Sequence, residues 1–527
     1  MTGRWAATGA GLVLGTAGLV WWGPPGGSLW PPLVALVVIL TTRRALVGLL
    51  AGGVAGAVLL HGGDPVQAGG TIAGLLADSF HSPWKVGALV FTLLLGGFAA
   101  VLESAGGLET LLRRWARDEA DTARGVETAA GLLGIVCFFD GLANSLVVGR
   151  VSRSLADRHG VARVKLAYIV DSTSSAVACV AVISTWIAFQ LSMIDQAFAA
   201  AGRPANPYLV FLSSLPANFY CWFTFAMLAA AVRFRFHPGP MGPACALAAR
   251  DATAEKPGGG VDGRAGPWRT AALPLVVLMV GFLAGFILLG APRPLWPLTR
   301  EGIVAAFGSD AGPRVLVLSS LVALAVSVAV HPGGLLGRRK AVGAAGRGMA
   351  AMAPPLLILL AAWIMGGVMD RLGTADLIAG LTSGSDLLWV MPTVTFITGS
   401  LISFSTGTSW GTMGIMFPLA VPAAAVLGAD AAFLNLMVAA VFSGAVFGDH
   451  CSPFSDTTIV TSLSCGVTPH DHVRTQLPYA LLTAGVAIAC GFVPAGLGVP
   501  AWVCLLMGGG LILGLGRRFG RRPHPAI

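Results

Sequence analysis

The chain has 527 residues, of which 55% are hydrophobic and only 11% charged, and its formal net charge is +9. A soluble domain carries roughly 25% charged residues, and a soluble chain this apolar would expose patches that aggregate, so the composition argues for lipid. The positive balance does not point to nucleic acid, because Lys and Arg sit between apolar runs and form no basic stripe with interleaved aromatics.

A membrane span needs about 20 apolar residues. Ala6 to Trp22 follows a single Arg4 and lacks a small-residue cleavage site. It ends in Trp21-Trp22, which suits a membrane interface, so it reads as a first helix rather than a cleaved signal. Further spans are expected at 26–42, 45–60, 84–103, 166–191, 208–232, 270–290, 315–331, 350–370, 432–463, 477–495 and 500–516. The stretch 237–268 is rich in Pro, Gly and charge and reads as a cytoplasmic linker between two halves. The eight cysteines are scattered without a CxxC pair and read as small buried hydrophobes. No cofactor is expected, and no nucleotide loop or nucleophile elbow stands in the chain.

Threading the chain with Arg4 inside leaves 27 of the 33 Lys and Arg on one side and six on the other. That asymmetry places both termini in the cytoplasm. It also forces two apolar stretches, 126–149 and 387–426, to enter and return on one side each. The first breaks at Asp140-Gly141, and the second at Ser405-Thr406-Gly407-Thr408-Ser409. Irregular backbone at membrane depth is tolerated only where protein or a water-filled cavity surrounds it. Two re-entrant hairpins from opposite faces, each followed by a polar-interrupted span, are the trace of an inverted repeat. The expected organisation is N-terminal helices at 1–60, a first repeat at 61–236, the linker, a second repeat at 269–495, and a C-terminal helix with a basic tail at 496–527.

Asp140, Asp171, Asp449 and Asp456 lie within these apolar segments. A charge at the bilayer centre costs about 2.5–3.5 kcal/mol on insertion scales. Each has Ser, Thr, Asn or Gly as neighbours, which supply hard oxygen ligands. Asn144, Ser172, Thr173, Thr406, Thr408, Ser409, Ser452 and Thr457 are the neutral candidates. Such a set can hold Na⁺, and its carboxylates can hold a proton instead. A membrane protease would need paired aspartates facing each other across two helices, whereas Asp449 and Asp456 share one segment. His450 is a weaker candidate for carrying a proton. His470-Asp471-His472, beside Arg474, reads as a solvated loop.

These residues carry a family resemblance. Phe138-Phe139-Asp140-Gly141-Leu142-Ala143-Asn144 resembles the FFDDxAN element of NhaC-type Na⁺/H⁺ antiporters, and Ala167–Thr173 resembles their AYIVDST element. Ile183-Ser184-Thr185-Trp186-Ile187, Thr406–Thr412 and Gly448–Thr458 are similar to ISTWI, TGTSWGT and GDHCSPISDTT, with Phe454 where Ile is usual. The resemblance spans about residues 30–495. It implies an all-α polytopic membrane fold, an inverted-repeat secondary transporter with broken helices and alternating access. It implies Na⁺ and H⁺ as partners across the cell inner (cytoplasmic) membrane, with no enzymatic activity. Some members of the family exchange organic acids such as malate and lactate, so a small organic anion or amino acid stays an alternative cargo. A homodimer also stays open. One departure stands out: Gly141 occupies the place of a second acidic residue in the first hairpin.

Overall fold

A computed structural model describes residues 2–22, 27–42, 44–118, 123–254, 266–292, 299–374, 376–377, 380 and 387–520. Regular structure among them is helical throughout. The first half runs α1 (Thr2–Trp22), α2 (Trp30–Thr42), α3 (Ala45–Leu60), α4 (Pro65–Ser79), α5 (Pro83–Ser104) and α6 (Gly107–Asp118). It continues with α7 (Ala123–Val136), α8 (Gly141–Arg158), α9 (Arg163–Val180), α10 (Thr185–Ala200), α11 (Pro207–Ser214) and α12 (Phe219–Arg233). The starts are written locally. Asp64 and Ser82 cap α4 and α5 with a proline directly after each, which removes a donor that would be orphaned anyway.

α13 (Met241–Ala254) occupies the front of the expected linker, while 255–265 lies outside the described residues. The second half runs α14 (Arg269–Gly290), α15 (Arg300–Phe307), α16 (Gly312–Ala329), α17 (Gly334–Ala351) and α18 (Ala353–Arg371). Then follow α19 (Met391–Thr406), α20 (Ser409–Val426), α21 (Ala431–Cys451), α22 (Asp456–Cys465), α23 (Pro469–Val486), α24 (Val493–Gly496) and α25 (Ala501–Phe519).

Among the described residues, nine helical runs are long and apolar enough to cross a membrane, or eleven when each of two bent pairs counts as one span. Their outward faces keep apolar stripes: Val276, Val280 and Leu283 of α14 are all exposed, one helical turn apart. In water such a stripe would be a liability; in a bilayer it is the lipid contact. The protein is therefore a multi-pass membrane protein.

The segment expected as one span at 166–191 is α9 and α10, bent by 44° at residues 181–184. Asp171 to Ser175 stand inside the continuous helix α9, so the break lies further along the chain than their polarity suggests. The span at 208–232 is likewise bent, by 46° beside Asn218. A third feature concerns Arg338, Arg339, Lys340 and Arg347, which fall between the expected spans 315–331 and 350–370. They lie on α17, whose other face of Gly337, Ala341, Ala344, Ala345 and Gly348 is buried. These small residues let α17 pack directly on α5: a Cβ on Gly348 would lie 2.3 Å from the Gly96 carbonyl oxygen. A row of small residues reads as loop-like in composition, yet it permits the close helix contact that membrane packing favours.

Helix–turn–helix pairs, α7–α8 and α19–α20, stand at the two expected hairpins, and both arms of the second are themselves among the runs long and apolar enough to cross a membrane. α7 and α8 pack on α9, and α20 packs on α10. The base of the first hairpin lies beside the start of α9. The base of the second lies beyond the end of α10, where the Arg203 guanidinium donates to the Ala429 carbonyl at 2.6 Å. The hairpins thus approach each other from opposite ends of the α9–α10 span.

Candidate functional site

Each hairpin tip sits against the broken span that follows it in sequence. At the first tip Asp140 caps α8, its carboxylate accepting from the Ala143 amide at 2.7 Å. Its other oxygen accepts from the Thr185 hydroxyl at 2.8 Å, and the Thr185 amide donates to the Phe139 carbonyl. Thr185 is the first residue of α10, so the tip is pinned to the α9–α10 break. At the second tip Gly407 ends α19 with φ +69°, a conformation L side chains rarely adopt. A Cβ there would lie 2.5 Å from the Phe454 carbonyl carbon, in the break between α21 and α22. The Ser452 hydroxyl donates to the Phe404 carbonyl at 2.7 Å, closing the same contact.

Both tips open into one cavity of about 420 Å³. Its wall carries Asp140 and Thr185 from the first tip and its partner, Thr406, Thr408 and Ser409 from the second, and Asp456 with Thr457 from α22. Trp186 and Trp410 add aromatic surface. Among the described residues, no Lys, Arg or His lines it. Thr408 caps α20, accepting from the Gly411 amide, so a helix N-terminus also faces the cavity. The arrangement offers two carboxylates and several hydroxyls to a cation, and helix-terminal amides to an anionic group.

Asp171 and Asp449 are not on that wall. They form a buried network directly behind it. The Thr458 hydroxyl joins them, 3.2 Å from an Asp171 oxygen and 3.1 Å from the Asp449 carbonyl. Ser455 donates to the Asp449 carboxylate at 2.9 Å and lies 2.8 Å from the Thr457 hydroxyl, which reaches the cavity side. The same Asp171 oxygen accepts from Gln476 at 2.8 Å and lies 3.0 Å from His472 Nε2. Among the described residues its second oxygen has no partner, and neither has Asp449 Oδ2. His450 bridges Ser172 at 2.9 Å and the Tyr220 hydroxyl at 2.8 Å, and Gln476 also donates to the His450 carbonyl.

Of the twelve residues singled out in sequence, six line the cavity: Asp140, Thr406, Thr408, Ser409, Asp456 and Thr457. Asp171, Ser172 and Asp449 belong to the network behind. Asn144 donates to the Gly134 and Thr173 carbonyls just behind the tip of the first hairpin, and its carbonyl oxygen is buried without a partner among the described residues. The hydroxyls of Thr173 and Ser452 donate to backbone carbonyls and hold structure together. Gly141 stands at the start of α8, where a Cβ would meet Trp186 Nε1 at 3.6 Å and Ser174 Oγ at 3.7 Å, ordinary contact distances.

His472 corrects one reading. It is fully buried on α23 rather than in a solvated loop. The signal was in the sequence: Thr468 caps the helix, Pro469 follows at its first position, and Asp471 accepts from the Thr468 hydroxyl at 2.6 Å. A Thr-Pro-x-Asp run is a helix start. Read so, His472, Gln476 and Tyr479 fall on one face at i, i+4 and i+7. Thr185 and Tyr220 were also missed, since nothing in sequence pairs them with residues 45 and 230 positions away.

Comparison with known proteins fits this geometry. A protein of Haemophilus influenzae described as uncharacterized is 31% identical over 487 residues, covering 89% of this chain and 90% of that one. The Bacillus subtilis malate-2H⁺/Na⁺-lactate antiporter is 34% identical over 142 residues, about a quarter of each chain (26% and 28%). The crystal structure of the Alcanivorax borkumensis YdaH transporter shares the fold, with TM-score 0.58, 18% identity and coverage of 86% of this chain and 89% of that one. The sequence model described as the Na⁺/H⁺ antiporter family matches residues 177–497, more than half of the chain, starting after the first hairpin. On this match, the chain belongs to the Na⁺/H⁺ antiporter family and is a secondary transporter.

Proposed function

We propose that the protein exchanges Na⁺ for H⁺ across the cytoplasmic membrane by alternating access. The observation that carries this reading is the meeting of both hairpin tips, with Asp140 and Asp456, in one cavity. A carboxylate at membrane depth is costly unless neutralised. A bound cation or a proton can each do this, so the two compete for one place. Asp140 and Asp456, with the hydroxyls of Thr185, Thr406, Thr408, Ser409 and Thr457, take the cation. With the cation gone, Asp140 and Asp456 hold protons in its place, and Asp171 and Asp449, each with an oxygen unpartnered among the described residues, take further protons behind them. The two hairpin-and-broken-span units, 61–236 and 269–495, act as inverted repeats joined by the 237–268 linker. Helices 1–60 and 496–527 flank them, and the basic loops and both termini face the cytoplasm.

A second reading has its own support. A cavity of about 420 Å³ exceeds what a bare ion needs, and the α20 N-terminus can hold a carboxylate. On that reading the cargo is a small organic acid or amino acid moved with Na⁺ or H⁺. Pulsing proteoliposomes with Na⁺, Li⁺, K⁺, lactate and malate, with internal pH as readout, decides between them. Na⁺-dependent proton efflux without any organic acid, abolished by D456N, supports cation exchange. Proton movement that requires an organic acid supports the second reading and overturns the first.

A further inference from the structure

A second cavity, of about 370 Å³, lies at the base of the first hairpin, away from the carboxylates. Four cationic side chains line it: Arg124, Arg158, Lys165 and Arg235. Glu127 is the one acidic residue among its described lining, and Lys165 neutralises it through a buried ion pair of 2.7 Å. With Lys165 and Glu127 paired, Arg124 and Arg235 leave the described lining with a net positive charge.

Three further observations point to an anion. Arg124 Nε is buried and has no partner among the described residues, so a donor of the cavity wall is left over. The N-terminus of α9 opens here through Ala162, which gives the helix no side-chain cap, leaving its positive end for another acceptor. Arg235 holds φ +52°, the one non-glycine in the left-handed region among the described residues. Such a conformation is rare outside glycine; it lets both Arg235 and His237 reach the cavity. His237 is held in place by the Tyr479 hydroxyl at 3.0 Å and lies 3.5 Å from Lys165 Nζ. The wall is thus assembled from α7, α8, α9, the turn after α12, and α13, and parts of it are fixed by buried contacts.

We infer that this cavity is a binding site for a phosphate-bearing anion, separate from the transport cavity. A phosphate group presents several acceptor oxygens and up to two negative charges, which matches a wall of guanidinium forks better than a single carboxylate does. The volume holds the phosphate and part of whatever it is esterified to. The lining segments are those that the charge count assigns to the cytoplasm, so the occupant arrives as a soluble phosphate or as an anionic lipid headgroup of the inner leaflet.

The test uses the full-length protein in two arms. In detergent, thermal unfolding is followed with inorganic phosphate against chloride at matched ionic strength. In nanodiscs, it is followed in phosphatidylglycerol against phosphatidylcholine. Specific binding raises the midpoint by mass action. A rise with phosphate identifies a soluble occupant, and a rise with phosphatidylglycerol alone identifies a headgroup. In either case the rise disappears in R124Q/R235Q and survives in R124K/R235K. If the double variant does not fold, R235Q alone decides, since Arg235 is exposed and its loss leaves no buried group unpaired. No rise in either arm, or an equal rise in the glutamine variants, overturns the site.

Discussion

Asp171 concentrates its bonds on one oxygen, to Thr458, His472 and Gln476, and leaves the other bare. His472 is the partner whose removal is most informative. A hydrogen bond to a charged group contributes about 1.5–3 kcal/mol, so H472A is expected to lower stability by that order. D171N/H472A is expected to recover part of it, because no charge is then left short of a partner. Denaturation in detergent across this double-mutant cycle checks the coupling; additive losses would mean that the pair does not interact. Gly141 gives the opposite experiment. The space beside it admits a Cβ, and an acidic residue at a helix start is favourable. G141D should therefore fold as well as the parent. It adds a titratable group near Asp140 and is expected to steepen the pH dependence of exchange, measured as flux against pH.

At the scale of elements, transport depends on the docking of each tip against its broken span. G407A places a Cβ against backbone that cannot move aside, in a conformation costing roughly 1–2 kcal/mol for a residue with a side chain. Exchange is expected to fall steeply, with helical content by circular dichroism unchanged; full activity in this variant would show that the contact is dispensable. These tips were legible in sequence because charge counting forces both stretches to return, and because Asp140-Gly141 and Thr406-Gly407-Thr408 cannot continue an apolar helix. The position of the break after Asp171 was not legible. Polarity marks Asp171 to Ser175, but a helix tolerates polar residues when neighbouring helices satisfy them. What ends α9 is Ser184, whose hydroxyl donates to the Ala178 carbonyl and accepts from the Ile187 amide.

For the whole molecule, residues from both halves of the chain make one cavity. Composition and periodicity supply the spans, and the spacing of polar strings supplies the hairpins. Which carboxylates share the cavity is a matter of tertiary approach: Asp140 and Asp456 meet there, while Asp171 and Asp449 fall behind the wall. The basic helix α17 was hidden for the same reason, since its small buried face has meaning only against α5. Alternating access further predicts that a cysteine at Ser409 reacts with an impermeant maleimide from one side of the membrane at a time, and that Na⁺ slows the reaction. Labelling unaffected by Na⁺ would place the cation elsewhere.

The central claim is that cation and proton compete at Asp140 and Asp456. It is tested most directly by adding Na⁺ to the purified protein in weakly buffered detergent solution and recording released protons. The wild-type protein is expected to release protons on adding Na⁺ but not matched choline, and D140N/D456N to release none. Undiminished release from that double variant would contradict it.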